Sequence, residues 1–242
     1  MDSNRTLIID GDIIAYQVSF AKETSIHWGD GLWTMHATEG AVSAGITEAI
    51  NDLKEKAQTP AAVVALSDSD NFRYDIAPYY KANRKDTRKP MMLNFAKQFI
   101  KDNFTALILP TLEADDVLGI MTSGFPGSYV CWSQDKDLRS VPGFHLIDDE
   151  IKEITEAEAD LCFYTQTLTG DPVGNYKGCP RIGPIAAAKL LSGSVDYWDT
   201  VVSAYRKAGL SELVALENAR LARILRHSDY DFEEKRVRLW CP

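Results

Sequence analysis

Apolar and polar positions divide the chain into short apolar runs separated by amphipathic stretches. Thr6-Leu7-Ile8-Ile9-Asp10 is an unbroken apolar run closed by an acid and Gly11. It reads as a strand buried on both faces, leading into a helix over Ile13–Phe20. Ser25–His36 alternates about Gly29-Asp30-Gly31 and predicts a hairpin with two tryptophans, Trp28 and Trp33, on its arms. A helical period covers Glu39–Ala57, and a second buried strand, Ala61–Leu66, ends at Ser67-Asp68. The stretch after Pro90 is helix-like, Ala106–Leu109 is a third strand, and Thr111 is placed to cap a helix reaching Thr122. Ser128–Trp132 and Phe144–Ile147 supply two further strands. Thr155 and Glu158 have capping-box spacing and open a helix that runs to Gly170. Beyond the Gly/Pro-punctuated stretch Gly170–Gly183 come a helix at Ala186–Leu191, two more helices to about Arg226, and a strand-like tail at Arg236–Trp240.

Strands alternating with helices over the first 150 residues predict an α/β fold with a central, mainly parallel sheet flanked by helices. The C-terminal third is mostly helical. At 242 residues, the chain buries a sizeable core without metal or disulfide staples. No apolar run reaches the roughly 18 residues of a membrane span, and Met1–Asp10 lacks the order of a signal peptide. A soluble, cytoplasmic, monomeric protein without a membrane partner is therefore expected. Cys131, Cys162, Cys179 and Cys241 have no C-x-x-C spacing, which implies reduced thiols and no thiolate zinc site.

The formal charge of −9 argues at first against a nucleic-acid binder. Its distribution reverses that. Residues 71–105 carry eight basic and three acidic side chains, a net of +5, which leaves −14 for the remainder. From Pro110 to Asp160 the net is −9. A basic segment beside an acidic one suits a metal-dependent enzyme acting on a polyanion, with lysines and arginines for phosphates and carboxylates for cations.

The acids also sit where open parallel sheets place their ligands, beyond the carboxyl ends of strands. Asp10 follows the first strand and Asp68 the second. Glu113, Asp115 and Asp116 begin the helix after the third, held in its first turn if Thr111 is the N-cap. Asp135 and Asp137 follow the fourth, and Asp171 follows a helix terminus. Eight carboxylates at one rim repel each other unless cations bind, and an all-oxygen donor set points to Mg²⁺ or Mn²⁺ rather than zinc.

Six blocks carry a resemblance. They are Ile8-Ile9-Asp10-Gly11; Ser67-Asp68; Tyr79-Tyr80-Lys81-Ala82-Asn83-Arg84-Lys85; Leu112-Glu113-Ala114-Asp115-Asp116-Val117; Ser133-Gln134-Asp135-Lys136-Asp137-Leu138; and Thr169-Gly170-Asp171 followed by Gly178-Cys179-Pro180-Arg181-Ile182-Gly183. In order and spacing they resemble the 5′-nuclease (flap endonuclease, PIN-like) superfamily, and the C-terminal end is similar to the 5′–3′ exonucleases of short-tailed DNA phages. The resemblance implies a PIN-like core over 1–169 with a basic helical arch at 71–105, and a helix-hairpin-helix with a helical DNA-binding part over 170–242. It implies two Mg²⁺ (or Mn²⁺) ions per active site. Asp10, Asp68, Glu113 and Asp115 would hold the first and Asp135, Asp137 and Asp171 the second, with Asp116 alongside. Lys81 and Arg84 would act on the scissile phosphate and Tyr80 would stack on a terminal base. Arg73, Lys85, Arg88 and Lys89 would contact DNA from the arch. Lys177, Gly178, Arg181, Gly183 and Lys189 would grip the duplex, with a K⁺ ion between. The implied substrates are duplex DNA with 5′ ends, nicks or flaps, and RNA–DNA hybrid, in phage replication or genome degradation within the host cytoplasm.

One position departs from the pattern. Family members carry a second aspartate three residues after the one matched by Asp171; here it is Gly174, followed by Asn175 as a neutral oxygen donor. A weaker second metal site is expected, with activity raised by Gly174→Asp. Three rivals stand beside this reading. A catalytically silent DNA-binding protein of the same fold would follow from Gly174. A haloacid-dehalogenase-like phosphatase would use Asp10-Gly11-Asp12, but Ile14 is bulky where that mechanism needs a small residue. A PIN-type ribonuclease would be shorter and lack the helix-hairpin-helix.

Overall fold

Leu7 and Ile9 pack on one side of the central sheet and Ile8 on the other, so an uninterrupted apolar strand serves two cores. The computed structural model describes residues 5–242; Met1–Asn4, part of the N-terminal stretch read above, lie outside the described residues. The elements run β1 (Thr6–Asp10), α1 (Gly11–Ala21), β2 (Thr24–His27), β3 (Trp33–His36), α2 (Glu39–Lys56), β4 (Ala62–Ala65), α3 (Arg73–Ile76), α4 (Leu93–Asn103), β5 (Ala106–Leu107) and α5 (Ala114–Gly124). Then come β6 (Tyr129–Trp132), β7 (Gly143–Ile147), β8 (Glu150–Ile154), α6 (Glu156–Thr169), α7 (Pro184–Leu191), α8 (Tyr197–Lys207), α9 (Glu212–Ala222), β9 (Tyr230–Asp231) and β10 (Arg236–Val237).

The main sheet has the order β5-β4-β1-β6-β7-β8. Its first five strands are parallel, and β8 returns antiparallel to β7. Strand β8 was not legible as a strand: it is an edge strand whose first four residues are exposed, so no apolar run marks it. Helices α1, α2 and α4 cover one face through Ile14, Val42, Ile46, Ala96 and Ile100. Helix α5 covers the other through Val117, Leu118 and Ile120, joined there by Ile224, Leu225 and Tyr230 from the C-terminal end. No helix of the described residues is long and apolar enough to cross a membrane.

Three expectations change in detail. Thr111 does not cap α5: it sits at φ +61°, and Glu113 is the N-cap, in a capping box with Asp116. The first-turn placement of Asp115 and Asp116 survives by this other route. The basic segment contains little helix between α3 and α4, only a 3₁₀ turn at Ala82–Arg84: Pro78 and Pro90 bracket it, and Lys81 at φ +53° cannot continue a right-handed helix. Trp28 lies just past the end of β2 rather than on it; both tryptophans are exposed, Trp28 donating to the Thr34 hydroxyl at 2.8 Å and Trp33 stacking on His27 at 4.4 Å.

The C-terminal end approaches α5 at Gly119, where a Cβ would lie 2.3 Å from the Leu225 carbonyl oxygen and 2.9 Å from Ile224 Cγ2. Gly119→Ala is therefore expected to lower unfolding stability by about 1–3 kcal/mol in urea titration. A change within about 0.5 kcal/mol, the range of an inert surface substitution, contradicts that close approach.

Candidate active site

From β1 the chain continues to β4 on one side, while β6 pairs on the other, so a crevice opens at the carboxyl ends of β1 and β6. Asp10 ends β1 and caps α1. Its Oδ1 accepts from the Ile13 N–H at 3.1 Å and its Oδ2 from the Ser133 hydroxyl, beyond β6, at 2.9 Å. Only 3% of Asp10 is exposed. The first turn of α5 supplies Glu113 and Asp115 to the same crevice, and the loop after β6 supplies Asp135 and Lys136. Together with Lys81 and Arg84 they line a cavity of about 540 Å³. A smaller cavity of about 160 Å³ adjoins it, lined by Asp115, Asp135, Asp137, Gln166 and Asp171 among others.

Charge in this crevice is poorly compensated. Burial pushes the Asp10 carboxyl up to about 6, reinforced by Asp12 and Asp135 and only partly opposed by its hydrogen bonds. Asp115 is driven well above the usual carboxylate range by burial and then by Asp10, Asp135 and Glu113. Burial, Asp135 and Asp171 push Asp137 up to about 6. Glu113 is the exception. Burial works against its ionisation, but Lys81 and Arg73 outweigh it and hold the carboxyl at about 2. Lys81 Nζ donates to Glu113 Oε1, and the Tyr80 hydroxyl donates to Oε2 at 2.9 Å.

No three His, Cys, Asp or Glu side chains among the described residues are drawn together tightly enough to enclose a metal ion. The donor chemistry nevertheless fits a hard cation. The crevice holds the buried carboxylate of Asp10 and the half-buried ones of Asp115 and Asp137 without an ion-pair partner, and the Gln166 Oε1 is a buried oxygen with no hydrogen-bond partner. The acids flank the crevice and would have to close inward on such an ion.

Other expected residues take different roles. Asp68 stays outside the crevice: its carboxylate accepts from the N–H groups of Thr111 (2.8 Å) and Ser69 (2.7 Å), which hold it below the usual carboxylate range. Asp116 is fully buried, and both its oxygens accept from the Arg73 guanidinium at 2.7 and 2.8 Å. Arg73, expected on DNA, is 3% exposed, and it also donates to the carbonyls of Leu221 and Arg223. Tyr80, expected to stack on a base, is buried among Ala77, Phe163 and Tyr176. Residue type and spacing alone could not tell which aromatic and which cation of this segment turn inward. Arg88 pairs with Glu23 at 2.7 Å, while Lys85 and Lys89 stay exposed. Arg84 Nε donates to the Val173 carbonyl at 3.2 Å.

Around the later loop, Lys177, Arg181, Gly183 and Lys189 are exposed, and Gly183 is the N-cap of α7. Gly178 is buried at φ +64°, against the Gly170 backbone, and its N–H donates to Asn218 Oδ1 at 3.1 Å, so it offers nothing to a phosphate. Asn175 lines neither cavity, and its Nδ2 donates to the Tyr79 carbonyl at 2.8 Å. Lys136 and Gln166 line these cavities, and Ser133 donates to Asp10 beside them, without having been singled out. Ser133 and Lys136 stand inside the Ser133–Leu138 block, and Gln166 lies in the last turn of α6 with no motif to mark it.

Comparison with known proteins places this geometry in context. A family model described as "5'-3' exonuclease, N-terminal resolvase-like domain" matches residues 5–167. The whole chain aligns with the exodeoxyribonuclease of Enterobacteria phage T3 at 28% identity, covering 94% of that protein. It aligns likewise with the exonuclease of Escherichia phage T7 at 28% identity, covering 95% of it. Among solved structures, the T5 D15 protein co-crystallised with metal ions superposes with a TM-score of 0.65 at 16% identity, over 91% of this chain and 89% of that one.

The crevice predicts an unusual pH dependence. The carboxyls of Asp10 and Asp137 are raised in the folded state, so their contribution to stability is complete below about pH 4 and is lost as pH rises through about 6. Glu113 acts in the opposite sense, its contribution fading as pH falls from about 4.5 toward about 2. Metal-free protein is expected to be most stable near pH 4–5 and weaker at pH 7.5. Asp115→Asn should reduce the loss. A flat urea-stability profile between pH 5 and 7.5 contradicts the charge frustration. Asp116→Ala, which strands Arg73, should cost about 3–5 kcal/mol at either pH.

Proposed function

The chain belongs to the 5′-3′ exonuclease family defined by the N-terminal resolvase-like domain, and from that premise we propose that it is a divalent-metal-dependent 5′–3′ exonuclease or flap endonuclease. Its substrate is duplex DNA bearing a 5′ end, nick or flap, and RNA–DNA hybrid belongs to the same class by shape. The observation that carries this reading is the juxtaposition in one crevice of uncompensated Asp10, Asp115 and Asp135 with the cations Lys81, Arg84 and Lys136. The proposal includes monomeric action in a host cytoplasm, in phage replication or genome degradation.

Asp10, Glu113 and Asp115 would hold a first Mg²⁺ or Mn²⁺ and Asp135, Asp137 and Asp171 a second. Bound there, such ions activate water and clamp phosphate oxygens. The chain's own residues do the remaining work. Lys81 stands at φ +53° with its ammonium on Glu113, at the edge of the crevice. From there it can pass to a phosphate oxygen and add positive charge where the pentacovalent phosphorane gains negative charge. The Arg84 fork suits two phosphate oxygens. Ser133 and the Ile13 N–H fix the Asp10 carboxylate for its role.

Exposed Lys85 and Lys89 extend the positive surface along the strand, reading charge rather than sequence. Arg181, Lys177 and Lys189 around the N-terminus of α7 support a duplex grip of helix-hairpin-helix kind, and a K⁺ ion there belongs to the same reading. Specificity is then for the shape of a 5′ end. Asp171, with Gly174 beside it, leaves a second reading in play, a chain that binds such DNA without cutting it.

Incubation of 5′-labelled blunt, nicked and flapped duplexes with Mg²⁺, and separately with EDTA, decides between them. Short 5′ products that vanish in EDTA are expected; tight binding without metal-dependent product favours the silent protein. Lys81→Ala should slow single-turnover cleavage by roughly 10²–10³-fold with duplex binding largely kept. Lys85→Ala with Lys89→Ala should instead weaken binding and lower the salt slope by about 2. The reverse pattern contradicts these assignments.

A further inference from the structure

The loop after α6 is closed around Asp171. Its Oδ1 accepts from the Val173 N–H at 3.0 Å and its Oδ2 from the Gly174 N–H at 2.6 Å. A Cβ at Gly174 would lie 2.9 Å from Asp171 Oδ2 and 2.8 Å from Cε1 of the buried Tyr176 ring. An aspartate introduced there would push into the carboxylate it was meant to assist, so the gain expected from Gly174→Asp is opposed by this packing. The Asn175 amide faces the Tyr79 carbonyl. From this loop, only Asp171 lines the crevice with a carboxylate oxygen.

The helix before the loop offers another donor. Gln166 lines the smaller cavity with Asp135, Asp137 and Asp171. Its Nε2 donates to Asp137 Oδ2 at 2.6 Å, which orients the amide, while its Oε1 is buried with no hydrogen-bond partner. A buried carbonyl oxygen left unpaired is destabilising, and native structures keep few of them without a reason. Amide oxygens are ordinary ligands of hard divalent cations. Position 166 also lies within α6, a regular helix that fixes the side chain better than a loop does.

We infer that Gln166 is an oxygen ligand of the second cation, its Oε1 taking the place of the carboxylate absent at position 174 while its Nε2 holds Asp137 in position. The inference rests on the metal-dependent reading above and adds to it a donor that no motif marks. A neutral ligand in place of an anionic one makes this the weaker of two sites, filled at higher metal concentration than the first.

Mn²⁺ titration of the metal-free full chain, followed by electron paramagnetic resonance and calorimetry, tests the assignment. Wild type should show a tighter and a weaker class of site. Gln166→Met, similar in volume but without the oxygen, should weaken the second class by roughly tenfold or more and leave the first unchanged. Gln166→Glu should tighten the second class. Superimposable isotherms for wild type and Gln166→Met overturn the inference. So does a Gln166→Glu variant weakened as much as Gln166→Met, which would mean that the amide only orients Asp137. In either case metal-dependent cleavage by wild type would leave the nuclease reading standing. Absence of Mn²⁺ binding together with absence of metal-dependent cleavage overturns both.

Discussion

A carboxylate removed from water at the end of a central parallel strand stays ionised only if something positive stands beside it. This molecule meets that constraint in two ways. Asp116 receives a permanent cation of its own, the buried guanidinium of Arg73, which also donates to Glu113 and to two carbonyls near the C-terminal end of α9. Asp10, Asp115 and Asp137 receive none. The first arrangement ties α3, α5 and the C-terminal segment together. The second leaves a charge deficit at the crevice where β1 and β6 part, and a crevice so charged has to take its counter-ions from solution.

The basic segment is not an independent appendage of this frame. Four hydrogen bonds clasp residues 79–84 to the loop 172–175: Lys81 N–H to the Gly174 carbonyl, Asn83 to Pro172, Arg84 to Val173, and Asn175 back to Tyr79. The cations that would meet phosphate are therefore mechanically linked to the loop that bears Asp171. With Lys81 resting on Glu113, the same contacts place positive charge at the mouth of a crevice that is otherwise negative, which is how a chain of net charge −9 accommodates a polyanion.

The sheet and its acidic rim were legible in the chain because two strong signals coincide there. Doubly buried strands read as apolar runs, and a carboxylate directly after such a run falls at the ligand end of the sheet. Asp10 follows that logic directly and Asp135 in the loop after β6, while Asp115 reaches the same rim from the first turn of α5. Asp68 follows it in sequence but not in space, because the loop after β4 turns its carboxylate onto the Thr111 and Ser69 amides. Charge and aromatic counts cannot say which way a side chain faces, so Arg73 and Lys81 looked alike, as did Tyr80 and its exposed neighbour Tyr79. Gln166 was silent because a single glutamine in the last turn of a helix has no pattern of its own; only its unsatisfied oxygen beside Asp137 distinguishes it.

On the reading proposed here, the uncompensated acids of this crevice hold cations, and Asp68 and Asp116 stay outside that site. Anomalous scattering from crystals grown with Mn²⁺ tests this most directly. One peak is expected among Asp10, Glu113 and Asp115 and a second, of lower occupancy, among Asp135, Asp137, Asp171 and Gln166. A crevice without either peak, or a peak ligated by Asp68 or Asp116, would contradict it.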